Sequence, residues 1–95
     1  MVNARSVMDE RITLTATAFV ELVVWEVPSP VRGSEHVFKY RLALVSEGEC
    51  VVRYDNEAGK GDHKHIGSNE VPYQFLGLKK LQDDFWKDVD EWLNK

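Results

Sequence analysis

Residues 37–54 read VFKYRLALVSEGECVVRY, and this stretch decides the fold. From Phe38 to Leu44 every second residue is apolar and the residues between them include two cations, a pattern typical of a half-buried strand. A turn signal, Ser46-Glu47-Gly48, separates this run from a second one that is rich in valine. The stretch therefore predicts an antiparallel hairpin.

The length of the turn determines which residues of the two strands face each other. If Gly48 adopts the left-handed conformation of a three-residue loop, the apolar residues of both strands share one face. A two-residue turn would instead set Arg53 against Leu42 among the core side chains, because side chains alternate between faces with a period of two. We therefore expect the three-residue loop, which gives these facing pairs: Val45 with Glu49, Leu44 with Cys50, Leu42 with Val52, Arg41 with Arg53, Tyr40 with Tyr54 and Lys39 with Asp55.

The rest of the chain completes an α+β fold. Residues 19–27 predict a strand that ends at Pro28, and residues 12–17 predict a further strand or an extension of the same one. The C-terminal segment carries apolar residues at the period of an amphipathic helix: Leu78, Leu81, Phe85, Val89 and Trp92. We expect an antiparallel β meander of three or four strands with a C-terminal α-helix packed on one face, and residues 55–72 as a loop at the sheet edge.

Composition limits the classes of function. With 95 residues, 43% of them hydrophobic and 29% charged, the chain is expected to fold as one domain spanning residues 1–95. The net charge of −4 means that any nucleic-acid contact must come from a local basic patch. The single Cys50 excludes an internal disulfide, and no signal peptide or apolar membrane span is seen, so a cytoplasmic protein without membrane contact is expected.

Two arginines at facing positions would repel each other in a sheet. A pair of guanidinium forks suits a phosphate or a carboxylate, so the pattern predicts an anion site. The candidate ligands of the anion are four cationic residues: Lys39, Arg41, Arg53 and Lys64. The alternative is that Glu21 or Glu26 on the preceding strand neutralises the arginines.

Residues 54–67 read YDNEAGKGDHKHIG and combine three glycines with two histidines. His63 and His65 project to the same side if the backbone is extended, which suits either a metal pair or a general acid and base. The further ligands that zinc would need have no recognised spacing: His36, Asp55, Asp62 and Glu70. A turn without a ligand, in which Asp and Asn side chains cap backbone amides, is the alternative.

Cleavage of RNA without a metal needs a base for the 2′-OH proton, an acid for the leaving oxygen and a cation near the phosphate. Histidines titrate in the useful range, and the same stretch holds a lysine and a carboxylate. The candidate catalytic residues are four: Lys60, Asp62, His63 and His65. This chemistry needs no cofactor, whereas a hydrolase with a metal at the two histidines stays open as an alternative.

Five segments occur in a fixed order along the chain: Lys39-Tyr40-Arg41-Leu42, Tyr54-Asp55-Asn56, Gly59-Lys60-Gly61-Asp62-His63-Lys64-His65-Ile66-Gly67, Tyr73-Gln74-Phe75 and Asp84-Phe85. Together they resemble the TumE-type toxins of bacterial and archaeal toxin–antitoxin modules, over about residues 22–90. The glycine- and histidine-rich segment is the specific part of the resemblance. It implies a small toxin encoded beside a helix-turn-helix antitoxin protein.

We therefore expect a toxin of a type II toxin–antitoxin module that acts on RNA by metal-independent acid–base cleavage. A non-catalytic toxin that binds a protein partner is one alternative, and a metal-dependent hydrolase that uses His63 and His65 is the other. Toxicity that survives loss of both histidines would favour the binding toxin over either enzyme.

Overall fold

The computed structural model describes residues 3–95, which form one antiparallel sheet and one helix. The elements in chain order are β1 (Arg5–Thr13), β2 (Ala18–Glu26), β3 (Phe38–Ser46), β4 (Glu49–Glu57), β5 (Gly61–Ile66), β6 (Asn69–Pro72) and α1 (Leu78–Leu93). Each strand pairs with the next one along the chain, so the sheet is a six-stranded meander. The predicted α+β class and C-terminal helix are confirmed, but the predicted count of three or four strands is wrong.

The additional strands lie where the sequence is polar. Residues 55–72, expected to be a loop, continue β4 and form β5 and β6. Strand β1 lies at one edge of the sheet, and all but one of its residues are exposed. A strand with polar side chains on both sides lacks the apolar alternation that marks a half-buried strand, so the sequence pattern does not reveal it.

The β3–β4 hairpin has a shorter turn than expected. Glu47 and Gly48 both have positive φ, 53° and 81°, as a two-residue type I′ turn requires. A bulge follows, because Val51 lies between residues that face Val45 and Leu44. The predicted three-residue loop is therefore wrong.

The bulge also corrects the predicted register. Beyond it the facing pairs are Leu42 with Tyr54, Ala43 with Arg53 and Arg41 with Asp55. The predicted pairs Arg41–Arg53 and Lys39–Asp55 are wrong, since each partner is displaced by two residues. The extra residue of the bulge restores the apolar face that a two-residue turn alone would have lost, and a displacement of two leaves every side chain on its expected side.

Helix α1 packs on one side of the sheet, which we call the helix face. Leu81, Phe85 and Val89 are buried there, which confirms the predicted apolar stripe. They pack with a set of buried strand residues: Val20, Leu22, Val24, Tyr40, Leu42, Leu44, Val52 and Tyr54. The other side, which we call the open face, carries the alternate residues of the same strands, and no helix lies on it within residues 3–95.

Helix α1 has 16 residues and carries charged side chains along one side. In the part of the chain that the structure describes, no helix is long and apolar enough to cross a membrane.

Candidate functional site

Three adjacent strands bring titratable side chains together on the open face. Arg53 and Asp55 of β4 face His65 and His63 of β5, respectively, and Glu70 of β6 faces His65. The two histidine rings lie 5.1 Å apart between centroids, on one side of an extended strand, as their spacing predicted. We call these five residues the histidine cluster.

The guanidinium of Arg53 lies at the middle of the cluster. Its Nη2 donates a hydrogen bond to Nε2 of His65 at 2.8 Å, and its Nε lies 3.2 Å from Oδ2 of Asp55. An arginine is always protonated and can only donate. Nε2 of His65 must therefore be an acceptor, which leaves the ring proton on Nδ1.

The surroundings of His65 favour its neutral form. Burial lowers the pKa of His65 below that of a free imidazole, and the positive charge of Arg53 lowers it further. Glu70 acts in the opposite direction, with Oε2 at 3.8 Å from Nδ1 of His65. A neutral histidine at physiological pH can take a proton from a substrate.

His63 has different surroundings, and its side chain is only 6% exposed. Its Nδ1 donates to the carbonyl oxygen of Gly61 at 3.0 Å. Its Nε2 lies 2.6 Å from Oδ1 of Asp55 and 3.8 Å from Oε1 of Glu70. Both ring nitrogens of His63 therefore lie beside oxygens, one of a backbone carbonyl and one of a carboxylate, that can accept hydrogen bonds.

The same geometry offers ligands to a metal ion. One ligand atom from each of Asp55, His63 and His65 lies within 4.8 Å of the others. Two imidazoles and a carboxylate form a donor set that zinc or another transition metal accepts. Nε2 of His65, however, already accepts a hydrogen bond from Arg53, whose positive charge would oppose a cation.

A cavity of about 380 Å³ opens beside the cluster. It is lined by Lys60, Asp62, His63, Glu70, Val71 and Pro72. Lys60 lies in the turn between β4 and β5, where its exposed Nζ is 3.5 Å from a carboxylate oxygen of Glu57. The lysine thus lines the same cavity as His63, and its ammonium group is accessible to an anion.

Asp62 and Lys64 alternate with the two histidines along β5 and therefore lie on the helix face. Asp62 accepts hydrogen bonds from three side chains: Ser34 (2.5 Å), His36 (2.7 Å) and Tyr40 (2.8 Å). Lys64 places its Nζ 3.3 Å from Oδ2 of Asp88 in the helix. Both residues are thus engaged in contacts with the scaffold, on the side of the sheet opposite to the histidines.

Two glycines, Gly33 and Gly61, allow two loops to touch. A Cβ on Gly61 would lie 2.8 Å from the carbonyl oxygen of Gly33, and a Cβ on Gly33 would lie 2.7 Å from the nitrogen of Gly61. Both residues also have positive φ. The loop before β3 therefore packs against the β4–β5 turn through backbone atoms, which holds the start of β5 and so the position of His63.

The two remaining cationic candidates, Lys39 and Arg41, are exposed on the open face of β3. Arg41 lies in the same row of facing residues as Asp55 and His63. Within residues 3–95 neither of them forms an ion pair.

For Asp55 and Glu70, the two members of the histidine cluster outside the predicted catalytic and anion sites, the sequence indicates a role only as metal ligands. The signal for Asp55 was its two-residue spacing from Arg53, which puts both side chains on one face of an extended strand. Glu70 gave no signal, because its position depends on the pairing of β5 with β6.

Comparison with known proteins gives one match. A family model described as Toxin TumE matches residues 2–93, nearly the whole chain. No curated protein matches the chain, and no solved structure matches it.

Proposed function

Because the chain belongs to the TumE toxin family, we propose that it is the toxin of a type II toxin–antitoxin module and that it cleaves RNA in the cytoplasm without a metal. The proposed active site is the histidine cluster on the open face. The proposed partner is a helix-turn-helix antitoxin protein. Family membership supports the role as a toxin, and the geometry of the cluster supports the chemistry.

One observation carries the proposed mechanism: two histidines lie side by side in opposite electrostatic surroundings. His65 lies against the guanidinium of Arg53 and is kept neutral, whereas His63 lies against the carboxylate of Asp55. A histidine beside a cation and a histidine beside a carboxylate suit opposite proton transfers, the first as a general base and the second as a general acid. We therefore assign the base to His65 and the acid to His63.

The reaction follows from these two roles. His65 removes the proton of a ribose 2′-OH, the 2′ oxygen forms a bond to phosphorus, and the bond from phosphorus to the 5′ oxygen breaks. His63 gives its proton to that leaving oxygen. The products are a 2′,3′-cyclic phosphate and a 5′-OH, and solvent exchange returns both histidines to their starting protonation states.

The cation that this reaction needs at the phosphate is assigned to Arg53. A phosphate oxygen would compete with Nε2 of His65 for the guanidinium, and its binding would release the base for the 2′-OH. Lys60, which lines the cavity beside His63, would add positive charge at the same phosphate. In this proposal the side chains of Asp62 and Lys64 support the scaffold and take no part in the proton transfers.

The test uses the purified protein and a mixed-sequence RNA. His63→Ala and His65→Ala should each lower the cleavage rate by about 10²- to 10⁴-fold, because each removes one proton transfer. Lys64→Ala, on the same strand but on the helix face, is the matched control and should keep its rate. Addition of a chelator should change nothing.

The proposal fails if the purified protein neither cuts nor binds RNA and still arrests growth when both histidines are replaced by alanine. That outcome would support a toxin that binds a protein partner.

A metal-dependent hydrolase is the second candidate, favoured by the convergence of Asp55, His63 and His65. In that case a chelator would abolish cleavage and added zinc would restore it. Each histidine variant would also lose the metal, since too few ligands would be left to hold it. Metal content measured on the wild type and on both variants separates this candidate from the metal-free mechanism.

A further inference from the structure

We infer that the open face beside the histidine cluster is a binding platform for single-stranded RNA, with one base stacked on Trp25 and the neighbouring phosphates at Lys39 and Arg41. This inference rests on the proposed function and names the form of RNA that the site takes. It adds Trp25 to the site, a residue that neither the motif nor the cluster includes.

The strand register places the three residues next to the cluster. Trp25 faces Lys39 across β2 and β3, and Arg41 faces Asp55, which in turn faces His63. Strands are about 4.8 Å apart and residues on one face about 6.8 Å apart, so Trp25 lies roughly 16 Å from His63. A short segment of RNA that crosses the strands can contact all of them.

The charges of the platform are available to an anion. Within the described residues, Lys39 and Arg41 form no ion pair, although Arg41 faces a carboxylate. That carboxylate, Asp55, is already in contact with Arg53 and His63. Across the sheet, by contrast, three lysines are paired with aspartates of the helix: Lys64, Lys79 and Lys80. A chain of net charge −4 thus keeps unpaired cations on one face of the sheet.

Trp25 differs from the other two tryptophans. Trp86 and Trp92 lie on the helix and pack against the hydrophobic core, whereas Trp25 alternates with the buried Val24 and is 37% exposed on the open face. An exposed indole beside two cations is the combination that single-stranded nucleic acid uses, because a free base can stack on it while the phosphates meet the cations. A base that is stacked within a duplex is not accessible to the indole.

The experiment measures RNA binding by a variant that cannot cut, His65→Asn. The probes are a short mixed-sequence oligoribonucleotide and the same oligoribonucleotide annealed to its complement. The single strand should bind at least about tenfold more tightly than the duplex, and Trp25→Ala in the same background should weaken its binding about tenfold. Quenching of tryptophan fluorescence on binding should be lost in the same variant.

Two further variants keep the test decisive. Trp25→Phe retains an aromatic ring and should keep most of the affinity for RNA. It still tests the stacking if the Trp25→Ala variant folds poorly. Phe19→Ala removes the other aromatic side chain of β2 on the open face, which lies under the guanidinium of Arg11 at 3.8 Å, and should leave the affinity unchanged. Equal binding of duplex and single strand, or an unchanged affinity of the Trp25→Ala variant, overturns the inference.

The result separates this inference from the proposed function. RNA cleavage by the wild type together with binding that is indifferent to Trp25 would leave the proposed function standing and refute the platform. Binding of single-stranded RNA that depends on Trp25, by a wild-type protein that cuts no RNA, would support the platform and refute the cleavage.

Discussion

The two faces of the sheet both carry polar side chains, but they use them differently. On the helix face three tyrosine hydroxyls each donate to a different aspartate: Tyr40 to Asp62, Tyr54 to Asp88 and Tyr73 to Asp84. On the open face the histidine cluster brings a cation, two imidazoles and two carboxylates together beneath no helix. The strands β4 and β5 contribute to both faces, so alternate residues of one strand have different roles.

The two faces also differ in the pKa shifts of their titratable side chains. Burial, and then the hydrogen bond to an aspartate, raise the pKa of Tyr40, Tyr54 and Tyr73 well above that of a free tyrosine, so these hydroxyls stay protonated at any physiological pH. The pKa of His65 is shifted in the other direction, from a starting value already near neutrality. The helix face therefore has fixed donors, whereas the open face has a group that can gain and lose a proton.

The largest effect should come from the centre of the helix face. Phe85 is fully buried, and Phe85→Ala should lower the free energy of unfolding by about 3–5 kcal/mol because it leaves a cavity against the sheet. Lys87→Ala, two residues away on the exposed side of α1, should change it by less than about 0.5 kcal/mol. Urea unfolding measures both, and equal losses would contradict the assignment of the two sides of the helix.

Two neighbours on β4 test the contrast within one strand. Tyr54→Phe should lower the free energy of unfolding by about 1.5–2 kcal/mol, because the Asp88 carboxylate loses a hydrogen bond from a buried hydroxyl. Its rate of RNA cleavage should stay near that of the wild type.

Asp55→Asn should give the opposite result. It removes the negative charge 2.6 Å from Nε2 of His63, the proposed acid, and should lower the cleavage rate at least about tenfold. The amide keeps the size and polarity of a side chain that is only 19% exposed, so the free energy of unfolding should fall by only about 1 kcal/mol. If Tyr54→Phe and Asp55→Asn each lowered the cleavage rate and the free energy of unfolding to the same extent, the two faces would not have different roles.

The sequence predicted the helix face better than the open face for a physical reason. Period-two alternation in residues 38–44 and the 3.6-residue period after Leu78 report apolar burial on one side of an element. β5 has no such signal, because Asp62 and Lys64 are engaged on one side while the histidines are engaged on the other. Pairing with polar partners stabilises a strand without making its sequence apolar.

The hairpin shows a second limit. Glu47-Gly48 is compatible with either turn length, and the prediction of three residues rests on keeping Arg53 out of the core. That requirement was correct, but a bulge at Val51 also meets it. A bulge depends on how the strands settle against their neighbours, so the residues predicted which face each side chain takes but did not predict its partner.

A smaller effect concerns alkaline pH on the helix face. In the unfolded chain a tyrosine ionises near pH 10, whereas burial and then Asp88 raise the pKa of Tyr54 in the folded protein. The contribution of the protonated Tyr54 hydroxyl to the free energy of unfolding is thus fully present below about pH 10, and it is lost as the pH rises further. The difference in unfolding free energy between wild type and Tyr54→Phe should shrink by about 1 kcal/mol between pH 10 and pH 11. A difference that stays constant would contradict the buried donor.

The smallest expected effect is that of Arg41 on the open face. The predicted facing pair of Arg41 and Arg53 would have made Arg41→Ala stabilising, but the residue that faces it is Asp55, so the unfolding free energy should change by less than about 0.5 kcal/mol. Binding of single-stranded RNA should weaken about three- to tenfold at low salt. The slope of log affinity against log salt concentration should fall in magnitude by about 0.7, which is the value for one phosphate contact with a single strand.

Lys79→Ala removes the same charge from the helix and is the matched control for Arg41→Ala. Lys79 is paired with Asp83 on the far side of the sheet, so its loss should leave the salt slope unchanged. Binding titrations at several salt concentrations distinguish the two variants. If Arg41→Ala and Lys79→Ala reduce the salt slope equally, the affinity for RNA depends on the net charge of the whole protein. The unpaired cations of the open face would then not form a specific binding site.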